Sequence, residues 1–120
     1  MPERIALVVD DNSTNRLLAG TILKKLGWQI VEAASGDAAL PLAAAQPFSL
    51  VLLDISMPGL SGEDTCVRLR EIQGERPMRI IAYTAHAYPE ERAKFLDVGF
   101  DDILVKPINR LQLESMIADL

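Results

Sequence analysis

The sequence predicts an α/β domain, a parallel sheet wound with helices on both faces. Three observations lead there. Five short apolar runs are spaced along the chain, too short for helices and mostly rich in Ile, Val and Leu. Segments with helical period lie between them. Three of the runs are apolar throughout, as strands covered on both faces of a parallel sheet are.

The first strand is read at residues 5–9. The helix after it covers residues 13–26, with Leu18, Ile22 and Leu26 at four-residue spacing and Gly27 as its stop. On a helical wheel these form one stripe, while Leu17 points away with Gly20 and Lys24. A second strand at residues 30–34 precedes a helix that opens at Ser35-Gly36 and runs through alanines to Gln46. Pro41 falls inside that helix, where a proline removes a hydrogen bond and costs up to about 3 kcal/mol. A late start, a kink or an irregular turn is therefore expected there.

The third strand is residues 50–53. Ser61-Gly62-Glu63-Asp64 opens the next helix with a serine followed three residues later by an acid, the capping-box pattern. After the fourth strand at residues 80–83, Pro89, Glu90 and Glu91 start a helix that Gly99 ends. The fifth strand is residues 103–105, and the last helix begins at Asn109 with Gln112 three positions on. No repeat, low-complexity tract or linker interrupts this order. Residues 1–120 are expected to be one domain with no separate output module.

Composition narrows the function. The chain is 49% apolar and 24% charged, an ordinary globular balance, with enough apolar material for a core that needs no disulfide. A net charge of −5 argues against direct binding of nucleic acid. The single cysteine, Cys66, cannot form an internal disulfide and suits a reducing cytoplasm. Only five apolar residues follow Met1-Pro2-Glu3-Arg4 before Asp10, too few for a secretory signal or a membrane span. The expected setting is cytoplasmic, either a free domain or a cytosolic piece of something larger, without membrane contact of its own.

The chemistry lies at the strand ends. Open α/β sheets bind ligands beyond the carboxyl ends of their strands, near the point where strand order reverses. Asp10-Asp11 follow the first strand, Asp54 the third, Thr84 the fourth, and Lys106-Pro107 the fifth. The second ends blandly in Ala33 and Ala34, as an edge strand away from the crevice would. Two carboxylates about 4 Å apart repel by roughly 4 kcal/mol at an effective dielectric near 20. Three of them need a raised pKa, a cation, or both. A hard divalent cation on one or two carboxylates, completed by waters and a phosphate oxygen, is how magnesium binds. Lys106 would then meet an incoming phosphoryl group and Thr84 would donate to it. A carboxylate can itself be the nucleophile, forming an aspartyl phosphate.

Leu7-Val8-Val9-Asp10-Asp11-Asn12, Asp54-Ile55-Ser56-Met57-Pro58-Gly59-Leu60-Ser61-Gly62, Tyr83-Thr84-Ala85 and Val105-Lys106-Pro107 resemble the receiver domains of two-component signalling. The likeness covers the whole chain in order and spacing. It implies a flavodoxin-like, five-stranded sheet in the order 2-1-3-4-5 with five helices. It implies that Asp54 is the phosphoacceptor, loaded from a phosphohistidine on a histidine kinase or histidine phosphotransfer protein. Asp11, Asp54 and the backbone carbonyl of Ser56 would bind Mg2+ (or Mn2+), with Asp10 contributing directly or through water. Lys106 and Thr84 would contact phosphoryl oxygens, and Pro107 would follow a cis peptide. Such a domain is a switch that loads and unloads itself rather than an enzyme acting on other molecules. Thr84-Ala85-His86-Ala87 and residues 99–108 look most like receivers fused to sensor histidine kinases, which work in phosphorelays. The alternative is a free-standing single-domain response regulator.

Other functions fit less well. An aspartyl-phosphate phosphatase of the haloacid-dehalogenase type needs an acid two residues after its nucleophile, and Ser56 stands there. A flavin phosphate would sit at the first helix's N-terminus, against Asp10 and Asp11. A docking platform that has lost phosphorylation would not keep the full residue set. Cys66 and Trp28 read as packing residues, His86 as a loop residue, and Asp101-Asp102 as a turn outside the acid cluster. Ile103 departs from the family pattern, which often places an aromatic ring three positions before the site lysine.

Overall fold

The computed structural model describes residues 4–85 and 88–120. The elements alternate as the apolar pattern requires: β1 (Ile5–Val9), α1 (Ser13–Lys25), β2 (Gln29–Ala33), α2 (Gly36–Ala45), β3 (Leu50–Asp54), α3 (Gly62–Gln73), β4 (Arg79–Thr84), α4 (Pro89–Val98), β5 (Asp102–Val105) and α5 (Arg110–Ile117). All neighbouring strands pair in parallel, in the order β2-β1-β3-β4-β5. Of the strands that read as wholly apolar, the central β1 and β3 are buried along their length, while β5 lies at an edge with its two ends half-buried. At the edge, β2 exposes Gln29 and Glu32.

Alternation along each strand builds two cores. Leu7, Val9, Val51, Leu53, Ile80, Ala82 and Ile103 face one way, against Ala39 and Ala43 of α2, Cys66 and Leu69 of α3, and Phe95 of α4. Ala6, Val8, Leu50, Leu52, Ile81, Tyr83 and Leu104 face the other way, against Ala19 and Leu23 of α1 and Leu113 and Ile117 of α5. This is the doubly wound arrangement. Trp28 closes the second core at the α1–β2 turn, and Cys66 is fully buried in the first. Burial pushes the Cys66 thiol up to about 11, so it stays protonated.

The helix starts are set by side-chain caps. Asn12, Ser35, Ser61 and Asn109 each accept the N–H three residues on, at 3.0–3.1 Å. The α4 helix begins at Pro89 without a side-chain cap. No helix of the described residues is long and apolar enough to cross a membrane.

Three local readings need correction. In α1 the buried residues are Ala19, Gly20 and Leu23, whereas Leu18 is 49% exposed. Gly20, read as pointing away, faces the sheet against Ile30, and Leu18 turns outward while Ile22 and Leu26 stay packed against the second core. Of the outcomes expected at Pro41 the late start is excluded, since α2 runs from Gly36 to Ala45 through it. Pro41 and Asp37, whose carbonyl loses its partner, are both exposed. Asp102 opens β5 rather than lying in the turn. Asp101 remains before it, accepting from the Ile80 N–H at 2.8 Å and from Arg70 at 2.6 Å.

One glycine sets how closely α3 approaches the end of β3. A Cβ on Gly62 would lie 2.7 Å from the Asp54 carbonyl oxygen and 2.8 Å from Ile55 Cα. Both are backbone atoms and cannot swing aside. Gly62→Ala should therefore lower unfolding free energy by about 1–3 kcal/mol in urea titrations, the usual cost of overpacking. An unchanged midpoint and slope would show that this approach is not constrained.

Candidate functional site

Parallel register brings the carboxyl ends of the central strands level. Val9 lies beside Leu53, Asp54 beside Tyr83, and Thr84 beside Val105. Asp10 and Asp11 therefore leave β1 next to Asp54 at the tip of β3, with β4 and β5 closing the far side. The order reverses here as well, since β2 and β3 flank β1 on opposite sides. That reversal opens the crevice into which these residues converge.

Asp10, Asp11 and Asp54 can each place a carboxylate oxygen within 4.8 Å of the others'. Asp10 and Asp54 are only 1% exposed, while Asp11 faces solvent. The Lys106 ammonium lies 3.2 Å from Asp54 Oδ1 and 3.6 Å from Asp10 Oδ2. Backbone donors hold the other contacts: Ser56 N–H donates to Asp54 Oδ1 at 3.1 Å and Asn12 N–H to Asp10 Oδ1 at 2.9 Å. Thr84 is buried at the tip of β4, and its carbonyl accepts the Lys106 N–H at 2.7 Å. The Lys106–Pro107 peptide is cis, as the resemblance implies. The sequence-predicted residues Asp10, Asp11, Asp54, Ser56, Thr84 and Lys106 all lie at this one edge of the sheet. His86 lies outside the described residues.

Charge at this edge is out of balance. Among the described residues three carboxylates face one ammonium, which leaves a surplus of negative charge suited to a divalent cation. Burial, and then the neighbouring Asp10 charge, push the Asp54 carboxyl above its ordinary value of 3.8. Lys106 and the Ser56 N–H pull the other way and do not cancel the rise. Among the described residues Asp10 Oδ2 is buried without a hydrogen-bond partner, the Lys106 ammonium standing off at 3.6 Å. A buried carboxylate oxygen in that condition is costly unless a cation meets it. The donor set is all oxygen, which fits magnesium rather than a softer metal.

Several contacts were not read from the sequence. Arg16 donates to the Asp10 carbonyl at 2.6 Å and to Glu32 at 3.1 Å, tying the β1–α1 loop to β2. Tyr83 puts its ring under Lys106, with the ammonium 4.9 Å from the ring centroid. Its phenol was the available signal, since it stands between the aliphatic run Ile80-Ile81-Ala82 and Thr84. Ile103 is already buried in the core beside Phe95 and Phe100.

Comparison with known proteins agrees with this geometry. The family model described as the response regulator receiver domain matches residues 6–118. The chain is 40% identical over 114 residues to the sensor histidine kinase GacS of Pseudomonas protegens, a match that takes in 92% of this chain and 12% of that protein. Among solved structures, the receiver domain of the sensor histidine kinase PA1611 from Pseudomonas aeruginosa is 30% identical with a TM-score of 0.86. The alignment covers 98% of this chain and 97% of that one, whose active-site cleft coordinates a magnesium ion. The chemotaxis protein CheY4 of Vibrio cholerae superposes with a TM-score of 0.90 at 26% identity, covering 98% of both chains.

Proposed function

The chain belongs to the response regulator receiver domain family, and from that premise we propose that Asp54 is its phosphoacceptor. The observation that carries this is the placement of Asp54 at the tip of β3, buried between Lys106 and the acid pair. One Asp54 oxygen attacks phosphorus as the bond to a donor imidazole nitrogen breaks, giving an aspartyl phosphate. The Lys106 ammonium pairs with the charge on the transferred group, and the Thr84 hydroxyl donates to one of its oxygens. Asp10, Asp11, Asp54 and the Ser56 carbonyl would hold Mg2+, or Mn2+ through the same oxygens. The cation supplies charge neutralisation on the phosphoryl oxygens. The magnesium in the PA1611 receiver supports this assignment.

Intact-mass measurement after acetyl phosphate and Mg2+ should show one added phosphoryl group that hydroxylamine removes. EDTA should prevent its appearance. A hydroxylamine-stable adduct, or equal labelling in EDTA, would overturn the reading.

The donor would be a histidine kinase or a histidine phosphotransfer protein. We read residues 1–120 as a single receiver domain, a self-loading switch with a cytoplasmic setting and no output module among them. The chain spans about an eighth of the GacS length. A place within a hybrid sensor kinase is the preferred reading, and a free-standing regulator the alternative. The docking surface includes α1, whose Leu17 is 66% exposed beside the similarly exposed Leu18, near Asp11 where a phosphohistidine must approach. Leu17→Asp should slow transfer from a cognate phosphohistidine donor roughly tenfold, the loss expected for one interface anchor. Acetyl-phosphate labelling should be unchanged. Equal slowing with both donors would place the damage in the fold instead.

A further inference from the structure

We infer that Tyr83 is a positioning residue for Lys106, its ring supporting the ammonium and its phenol anchoring the loop that carries the lysine. The inference rests on the reading of Asp54 and Lys106 given above. Tyr83 is 2% exposed and stands in register with Asp54. The Lys106 ammonium lies 4.9 Å from its ring centroid, within the range of a cation–π contact. The phenol takes a backbone hydrogen bond from Ile108, two residues beyond Lys106. One side chain thus holds both the charged end of the lysine and the backbone just past it.

Core packing alone does not ask for a phenol here. Its partner across β5 is Leu104, and the other strand residues of this core, Ala6, Val8, Leu50, Leu52 and Ile81, are aliphatic. The lysine, by contrast, needs a third support. Its ammonium faces two carboxylates, at 3.2 Å and 3.6 Å. A flexible four-carbon stem lets either carboxylate draw it in. A ring face attracts the charge without fixing a direction, so the ammonium can move from the carboxylate toward phosphoryl oxygens while staying supported. Burial, with the Asp10 charge next, pushes the phenol's pKa up, so it adds no further anion to the cluster.

The test is a double-mutant cycle on labelling rate with acetyl phosphate and Mg2+. Tyr83→Leu should slow labelling roughly tenfold and Tyr83→Phe about threefold, with both effects lost in the Lys106→Ala background. Proton NMR should show the Lys106 ε-methylene shifted upfield by the ring in wild type and Tyr83→Phe, and unshifted in Tyr83→Leu. Tyr83→Phe keeps the ring and its volume, so it decides the matter should the leucine variant not fold. Equal slowing in the Lys106 and Lys106→Ala backgrounds, no slowing at all, or an unshifted wild-type signal would overturn the inference. Asp54→Asn separates the two readings. Labelling that persists in it defeats the phosphoacceptor assignment, whereas labelling lost there but untouched by Tyr83 substitutions defeats only this one.

Discussion

Asp54→Asn is expected to take up no phosphoryl group from acetyl phosphate, and to be more stable than wild type at neutral pH without divalent cations. The first result follows from chemistry: an amide oxygen is too weak a nucleophile to form the acyl phosphate. The second follows from burial. Asp54 is desolvated and sits beside Asp10, and both effects raise its folded pKa above 3.8. Between 3.8 and that raised value the native state holds a proton that the unfolded chain has released. Wild-type stability therefore falls as pH climbs through this window. Asparagine carries no such proton and loses nothing there.

Urea titrations in EDTA from acidic to neutral pH should show the two proteins converging at the acid end. The variant's advantage should grow as pH rises and then level off. Carboxylates that do not interact with Asp54 cancel in the difference. Wild-type phosphoryl yield in the variant would remove Asp54 as the acceptor. An advantage that shrinks with rising pH would mean the carboxylate is stabilised where it stands.

The site was legible because its parts sit at strand ends, and strand ends are what apolar runs mark best. Once residues 5–9, 50–53 and 80–83 read as parallel strands, Asp10, Asp11, Asp54 and Thr84 had to meet at one edge. What the pattern could not carry was orientation within an element. Leucine spacing in α1 placed Leu18 inward, yet Ala19, Gly20 and Leu23 make the sheet contact. Close helix–sheet packing selects small residues, which hydrophobic periodicity underweights. Pro41 is tolerated because it lies on the exposed side of α2, and exposure is a tertiary property. Tyr83 and Arg16 were missed for a related reason. Their roles depend on contacts with Lys106 and with the Asp10 carbonyl that neither helical nor strand periodicity marks.

Asp11→Asn should remove most of the magnesium-dependent rise in thermal midpoint while slightly raising the midpoint in EDTA. Asp11 is the exposed member of the acid cluster, so its loss leaves both cores untouched and acts through charge. Without a metal ion, three carboxylates within 4.8 Å oppose one another, and among the described residues Lys106 is the ammonium that offsets them. Taking one charge away relieves that repulsion. With a cation, the same charge is an attraction lost. A ligand present at about 100 times its Kd, and bound only by the native state, adds about 2.7 kcal/mol. For a domain of this size that is a rise of roughly 10 °C in wild type. A tenfold weaker site at the same magnesium concentration would keep about half of it, and a hundredfold weaker site only about 0.4 kcal/mol. Asparagine keeps a carbonyl oxygen but not the charge, which places the variant near the weaker limit. Scanning calorimetry across a magnesium titration separates the two parts of the prediction. A variant whose midpoint climbs with magnesium as wild type's does would show that Asp10 and Asp54 hold the cation without Asp11.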